Sequence, residues 1–168
     1  MSREAAGLII GLVAALILLL MFVAWRRRLR RDAGLTAPLG VPEHADVTGR
    51  HEILYVATTK HDQPLERLAV RPLTYRARGE LVLTDRGVAL SLDGAPTVFL
   101  ASARLVAADR ATVAIDRVVE RDGLIRLVWR VADGIHVDSF IRPTSGGPAD
   151  ILPQLVRLCA AAENGENA

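Results

Sequence analysis

Residues 79–94 have the sequence GELVLTDRGVALSLDG, which predicts a β-hairpin. Val88, Leu90 and Leu92 share one face of the return strand, because side chains alternate between the two faces of a strand. Asp85-Arg86-Gly87 separates the two halves and ends in a residue that tolerates positive φ, as tight turns require. The stretch therefore indicates an antiparallel sheet.

Short strands and turns are predicted on both sides of this hairpin. Asp-Gly turn signals occur at residues 93–94, 122–123 and 133–134. Further strands are predicted at 51–59, 97–101, 117–120, 124–131 and 135–142, with two short strands inside 104–115. In the strand at 124–131, Ile125, Leu127, Trp129 and Val131 share one face and the arginines the other. Residues 60–77 are compatible with a helical turn or an irregular crossing. The pattern is typical of a small antiparallel barrel or sandwich.

The periodicity changes at the end of the chain. Gly147-Pro148 opens a predicted helix, since proline suits the first helical position, and Asp150 is favourable in the first turn. An apolar stripe follows at helical spacing, formed by Ile151, Leu152, Leu155, Val156, Cys159 and Ala162. We expect the helix to cover an open end of the barrel, and residues 163–168 to form a disordered tail.

Residues 1–31 predict a transmembrane helix with an arginine-rich flank. Residues 5–25 carry no charge and span about 31 Å as a helix, which matches a hydrocarbon core of about 30 Å. The alternative is a cleavable signal peptide, whose apolar region is usually about 7–15 residues long and preceded by basic residues. Here the apolar run is longer and the basic residues follow it, which favours a stop-transfer helix.

The residues after this run set the predicted orientation. Trp25 suits the aromatic belt at a membrane interface, and positive charge favours the cytoplasmic side. The expected topology is N-terminus outside and C-terminal domain in the cytoplasm, at the plasma membrane. The arginines can also contact anionic headgroups of the bilayer. They are Arg26, Arg27, Arg28, Arg30 and Arg31.

Small residues recur every four positions within the apolar run, at Gly7, Gly11 and Ala15. This spacing lets two membrane helices approach closely and predicts a homodimer through the helix. The alternative is that small residues are simply frequent in an alanine-rich membrane helix.

Composition divides the chain further. Residues 32–49 are rich in proline and glycine and predict a linker, so that the globular domain is expected at 50–162. From Asp32 onward the chain holds 15 basic and 18 acidic residues, which argues against nucleic acid as a partner. The single cysteine, Cys159, excludes an intramolecular disulfide and a cysteine-rich zinc site.

The hairpin motif at 79–88 resembles the G-x-L-x-L-T-x-x-G hairpin of pleckstrin-homology-like (PH-like) and GRAM-like domains. The hairpin around Trp129 and Asp133-Gly134, with the terminal helix, supports the resemblance over residues 48–160. More narrowly, the chain is similar to actinobacterial single-pass membrane proteins with a bacterial PH-like domain, some of them labelled export or transport proteins.

The resemblance implies a seven-stranded antiparallel barrel capped by a C-terminal helix. It implies a module that binds phosphoinositides, other lipids or peptides, with no catalytic residues. Lipid-binding members carry a basic motif in the first two strands and their loop, where this sequence has only Lys60, His61, Arg67 and Arg71. A specific headgroup site is therefore not predicted.

We find no sequence signal for a catalytic centre, a metal site or a cofactor. The histidines His44, His51, His61 and His136 lack ligand spacing. His136 and Asp138 are expected on one strand face with Ser139 on the other, which argues against a triad. Cys159 is expected in the core.

Arg71, Arg76 and Arg78 are a candidate anion patch; the alternative is a solvated strand edge. The sequence thus predicts a membrane-tethered, non-enzymatic adaptor that recruits a protein partner at the inner membrane face. A sensor of anionic lipid headgroups and an accessory subunit of a transport or export assembly are the alternatives.

Overall fold

The computed structural model describes residues 3–32, 34–42, 44–114, 117–118 and 123–166. The chain divides into two compact units, Met1–Gly34 and Leu35–Ala168. The first is a single helix, α1 (Arg3–Asp32), in which the segment Gly7–Arg27 has a mean hydropathy of 3.0 and is long enough to cross a membrane. Length and composition alone do not separate such a helix from a signal sequence.

The second unit is a β-sheet domain followed by a helix, as predicted. The strands are β1 Val47–Lys60, β2 Gln63–Arg67, β3 Ala77–Thr84, β4 Gly87–Leu92, β5 Val98–Ala101, β6 Leu105–Ala111, β7 Val113–Ala114, β8 Arg117–Val118, β9 Leu124–Ala132 and β10 Ile135–Pro143. Eight strands form one antiparallel sheet in the order β5-β4-β3-β1-β10-β9-β6, with β2 paired to β1, and β7 and β8 form a separate pair. The helix α2 (Pro148–Glu166) packs against β6 and the 3-10 turn Ser102–Arg104.

The predicted hairpin at 79–94 is confirmed as β3 and β4. The two strands pair from Gly79 opposite Leu92 to Thr84 opposite Gly87. Gly87 adopts a φ of 150°, and a Cβ atom there would lie 2.2 Å from the carbonyl oxygen of Leu100 on β5. Glycine is required because β5 approaches the backbone closely at this turn.

The core is built from the inward faces of the strands and one face of α2. Trp129 on β9 is completely buried, as its place in the alternating pattern predicts. Each such large apolar side chain stabilises the fold by about 1.5–3 kcal/mol. The core also includes Ile53, Tyr55, Leu81, Leu83, Leu90, Leu100, Ile125, Leu127, Val137, Ile141, Ile151, Leu155 and Cys159.

A chain of hydrogen bonds crosses this core in one direction. The Tyr55 hydroxyl donates to the carbonyl of Leu73 (2.9 Å), so it accepts from Thr58, whose oxygen lies 2.7 Å away. Thr58 in turn accepts from Ser139 at 2.7 Å, and Ser139 accepts from the Trp129 indole N–H at 2.9 Å. Because each hydroxyl has one proton, the direction of the whole chain is fixed. Burial raises the pKa of the Tyr55 hydroxyl far above its ordinary value.

The structure corrects several predicted boundaries. The sequence predicts two short strands within 104–115, separated by a turn at residues 108–110. In the structure these three residues pair with β9, so β6 continues through them. The ambiguous stretch 60–77 contains β2. Val156 is 45% exposed and lies outside the buried stripe of α2. Residues 163–166, expected in the tail, continue α2, since the alanines before them favour helix propagation. The strand expected at 117–120 falls partly outside the described residues.

Part of the predicted linker is packed onto the domain. We call residues 35–41 the strap. The Phe99 amide donates to the carbonyl of Pro38 (3.0 Å), and the Ala37 amide donates to the carbonyl of Arg71 (2.7 Å). Ala37 is only 1% exposed. The strap thus lies between the open edge of β5 and the residue 71 backbone, and it satisfies backbone groups of both.

Ala37→Asp tests the strap. The substitution places a charge in the apolar core and should lower the free energy of unfolding by more than about 2 kcal/mol. Urea unfolding of the full chain in detergent micelles, followed by the circular dichroism of the sheet, measures this loss. Leu39→Asp is the matched control, because Leu39 is 58% exposed. Equal effects of the two substitutions would contradict a packed strap.

Tyr55 should make the fold sensitive to alkaline pH. The unfolded phenol ionises near pH 10 whereas the buried one stays neutral, so its contribution to stability is complete below about pH 10 and is lost as the pH rises above it. Tyr55→Phe should lower the free energy of unfolding at neutral pH by about 1–3 kcal/mol and flatten this alkaline loss. Urea titrations at several pH values measure both. An equally steep alkaline loss in Tyr55→Phe would refute the assignment.

Candidate functional site

Charged side chains meet at the end of the sheet where β1 turns into β2. Asp138 on β10 is 2% exposed, and its carboxylate lies 2.7 Å from His61 Nδ1. The amide of Asp62 donates to the same carboxylate at 3.2 Å. A buried carboxylate thus holds the β1–β2 turn, in which Asp62 has a φ of 55°.

Arg126 on β9 joins this group to a further carboxylate. Its Nε and Nη2 donate to the two Asp109 oxygens at 2.9 and 2.6 Å, a bidentate pair. Nη1 lies 3.3 Å from Asp62 and 3.6 Å from Asp138. The hydrogen bond with Asp109 raises the pKa of the Arg126 guanidinium, which therefore stays charged. We call His61, Asp62, Asp109, Arg126 and Asp138 the turn cluster.

Strand register brings the turn cluster together. Thr59 pairs with Asp138 across β1 and β10, so the turn that follows Thr59 lies beside the Asp138 carboxylate. Asp109 pairs with Arg126 across β6 and β9. Sequence reasoning missed this cluster because its members lie up to 77 residues apart. The available signals were single charged residues within apolar strands, at Arg126 and Asp138.

The turn cluster has the chemistry of an ion-pair network. Ligand atoms of His61, Asp62 and Asp138 lie within 4.8 Å of one another, a spacing compatible with a cation. However, the Arg126 guanidinium already places its positive charge against both carboxylates. Ser139 faces the opposite side of β10 and its hydroxyl is bonded within the core, as expected from strand alternation. These contacts anchor the β1–β2 turn.

The open cavities lined by described residues of the domain include the following two. One, of about 470 Å³, borders the turn cluster and is also lined by Pro64, Arg110 and Phe140. The other, of about 570 Å³, is lined by Glu52, Glu80 and Asp93 together with Arg78. We call the second cavity the β3 groove. Glu52 and Glu80 are direct partners across β1 and β3, and Arg50 forms an ion pair with Glu80 at 2.9 Å.

The three arginines of the candidate anion patch occupy different surroundings. Arg78 lies in the β3 groove among carboxylates. Arg71 and Arg76 are exposed on the loop between β2 and β3, and the Arg71 backbone pairs with the strap. The structure therefore separates Arg78, by its acidic environment, from the other two.

The membrane residues predicted on α1 lie on one continuous helix. Trp25 is 58% exposed, and its ring centroid lies 5.9 Å from that of Phe22. Gly7, Gly11 and Ala15 are exposed, and nothing lies within 4 Å of a Cβ built at either glycine. Their role in self-association stays a prediction, as does the interfacial role of Trp25, Arg26, Arg27, Arg28, Arg30 and Arg31.

Comparison with known proteins identifies the domain. Residues 35–155 match the family described as bacterial PH domain-like. The chain belongs to this family. The matched segment begins at the first residue of the strap, which agrees with the packing of residues 35–41 on the sheet. No curated protein matches the sequence.

Solved structures with a similar fold include the C-terminal phosphotyrosine interaction domain of APBB2 from mouse. The two are 9% identical, and the match covers 72% of this chain and 91% of that chain with a TM-score of 0.49.

Asp138→Asn tests whether the turn cluster anchors the β1–β2 turn. Loss of the buried carboxylate should cost about 1.5–3 kcal/mol in the free energy of unfolding, because His61 and Arg126 lose a charged acceptor. Urea unfolding of the full chain in detergent provides the measurement. Asp133→Asn, at an exposed turn, should change stability by no more than about 0.5 kcal/mol. An Asp138 variant as stable as this control would show that the cluster has no anchoring role.

Proposed function

We propose that this chain is a membrane-tethered, non-enzymatic PH-like module that recruits a protein partner at the inner face of the plasma membrane. Family membership supports a binding module in general. The apolar helix and its arginine flank support a membrane anchor with the domain on the cytoplasmic side. The charge of the domain surface supports a protein as the partner.

The β3 groove carries the argument for a protein partner. Three carboxylates and one arginine line it, and Arg50 pairs with Glu80 beside it. The net charge that remains is negative, which disfavours phosphate groups and favours a ligand with basic side chains. The turn cluster also makes the β1–β2 turn unfavourable for phosphate groups. The basic motif of lipid-binding relatives would occupy that turn, and here it contains Asp62 beside the buried Asp138. Both features disfavour an anionic lipid headgroup as the specific ligand.

The groove offers geometry suited to weak, specific recognition. Its floor is formed by β1 and β3, where Gly79 lets the β4 backbone approach so closely that a Cβ would lie 2.1 Å from the Ser91 carbonyl oxygen. The charged side chains of Glu52, Arg78 and Glu80 stand on hydrogen-bonded strands, so their spacing along β1 and β3 is set by the sheet and could fix the register of a partner at low entropic cost. We infer that a basic segment of the partner binds there.

The test measures both the membrane topology of the chain and its ability to retain a protein partner. A reporter fused after residue 168 should be active only when cytoplasmic, and the full chain should resist carbonate extraction from membranes. Affinity purification from native membranes should then recover a stoichiometric protein partner. Glu80→Lys/Asp93→Lys should abolish this recovery by reversing the groove charge, and added salt should weaken it.

Asp133→Lys/Asp85→Lys is the matched control, since it reverses the same two charges at exposed turns of the domain that do not line the groove. Recovery of the partner by the groove variant at the control level would refute the groove as the binding site. A reporter active on the outer side, or extraction of the chain by carbonate, would refute the membrane-tethered module itself.

A further inference from the structure

In the β1–β2 turn, His61 and Asp62 approach each other in a way that hydrogen bonding alone does not explain. His61 Nδ1 lies 2.7 Å from the Asp138 carboxylate. An ionised carboxylate only accepts hydrogen bonds, so Nδ1 carries the single proton of a neutral imidazole. Nε2 then has a lone pair, and it lies 3.4 Å from Asp62 Oδ2, which is a second acceptor. Two such atoms repel each other unless a proton or a metal ion lies between them.

The separation of these two atoms equals that of two ligands on one tetrahedral metal ion. Zinc binds an imidazole nitrogen at about 2.0–2.1 Å and a carboxylate oxygen at about 2.0–2.2 Å. At the tetrahedral angle these bond lengths place the nitrogen and the oxygen about 3.4 Å apart. The distance between His61 Nε2 and Asp62 Oδ2 is 3.4 Å. The spacing that a zinc ion requires is therefore already present in the turn.

The neighbouring hydrogen bonds hold both side chains in place for such an ion. A metal-ligating histidine usually donates its other ring N–H to a carboxylate, and Asp138 has this position beside His61. On Asp62, Arg126 Nη1 contacts Oδ1 at 3.3 Å, which leaves Oδ2 for the ion. The Asp62 amide also donates to Asp138 Oδ2 at 3.2 Å. Arg126 thus orients the Asp62 carboxylate without occupying the position between His61 and Asp62.

The charge of the turn cluster also favours a cation. Within the cluster, three carboxylates face one guanidinium, that of Arg126, and Asp109 already binds this guanidinium with both oxygens. With a neutral His61, three negative charges and one positive charge leave an excess of two negative charges. The exposed Arg110 beside the cluster reduces this excess to one. Because Asp138 is buried, solvent screens its charge poorly, and a divalent cation is stabilised there.

A second imidazole lies close to the same point. The His136 ring centroid is 6.0 Å from that of His61. A ring centroid lies about 3.2 Å from a metal ion bound through a ring nitrogen, so the centroids of two ligating rings are about 5–6 Å apart. His136 and Asp138 are two residues apart on β10, and strand alternation places them on the same face. His136 is therefore available as a third ligand.

We propose that His61, Asp62 and His136 bind a divalent transition-metal ion with the ligand preference of Zn²⁺. Asp138 and Arg126 are positioning residues, which orient the first two ligands. Three protein ligands leave the fourth position of a tetrahedral ion to a water molecule. Imidazole ligands disfavour Mg²⁺ and Ca²⁺, which prefer oxygen ligands. The ion fixes the β1–β2 turn against β10, and the inference is independent of the membrane anchor and of the β3 groove.

Zinc binding by the full chain tests the site. The chain is purified in detergent micelles without a polyhistidine tag, stripped with EDTA and titrated with Zn²⁺ by isothermal titration calorimetry. We expect one ion per chain. His61→Ala and Asp62→Asn should each weaken binding by at least about 100-fold, since loss of an outer partner of a ligand already costs about 10–100-fold. Asp138→Asn should weaken binding by about 10–100-fold and should change the visible absorption of bound Co²⁺, which reports the geometry of the ligands.

His44→Ala and Asp133→Asn are the matched controls, because both residues are exposed and lie outside the turn cluster. Circular dichroism shows whether each variant is folded, and Asp62→Asn keeps the test valid if His61→Ala does not fold, since asparagine also tolerates positive φ. The controls should bind Zn²⁺ as the parent chain does. Absence of Zn²⁺ binding by the parent chain would overturn the site. Equal affinities in the ligand variants and the controls would also overturn it, since they would indicate adventitious binding elsewhere on the chain.

Discussion

Strand β1 is hydrogen-bonded on both sides, and the domain depends on this double pairing. Its first part pairs with β3, from Val47 to Tyr55, and its second part pairs with β10, from Ile53 to Lys60. The register shifts between Tyr55 and Ala57, where β1 bends from one neighbour to the other. The strands β3, β4 and β5 and the strands β10, β9 and β6 are thereby joined into one sheet around a common core.

The buried hydrogen-bond chain fixes the same junction. Tyr55 and Thr58 belong to β1, Ser139 to β10 and Trp129 to β9, so the bonds connect the three strands from inside the core. A buried polar group costs free energy unless it is satisfied, and here each hydroxyl finds both a donor and an acceptor. Alternative registers would leave at least one of these groups unpaired. The chain thus selects one register where hydrophobic packing alone would tolerate several.

A contact in this structure could be predicted from the sequence only when the two residues that form it lie close together along the chain. The hairpins at 79–94 and 124–142 were predictable because their turns and alternation lie within a few residues. The strap was predicted as a linker because prolines and glycines dominate it, whereas its pairing partners, Arg71 and Val98, lie far along the chain. The turn cluster was missed for the same reason. Local patterns identify strands but do not show which strands pair with one another. The contacts between charged side chains depend on that pairing and could not be predicted without it.

The charges of the chain make sense only when the two units are considered separately. The basic residues that raise the overall pI to 9.2 include five arginines within residues 26–31, while the remainder from Asp32 onward is slightly acidic. A domain tethered as proposed would be at high effective concentration near anything else in the same membrane. Such a domain would gain little from a tight lipid site, and a groove of modest affinity would be enough to select a neighbouring protein. An acidic groove also avoids competition from anionic headgroups, which would occupy a basic groove first because they are far more abundant at the interface.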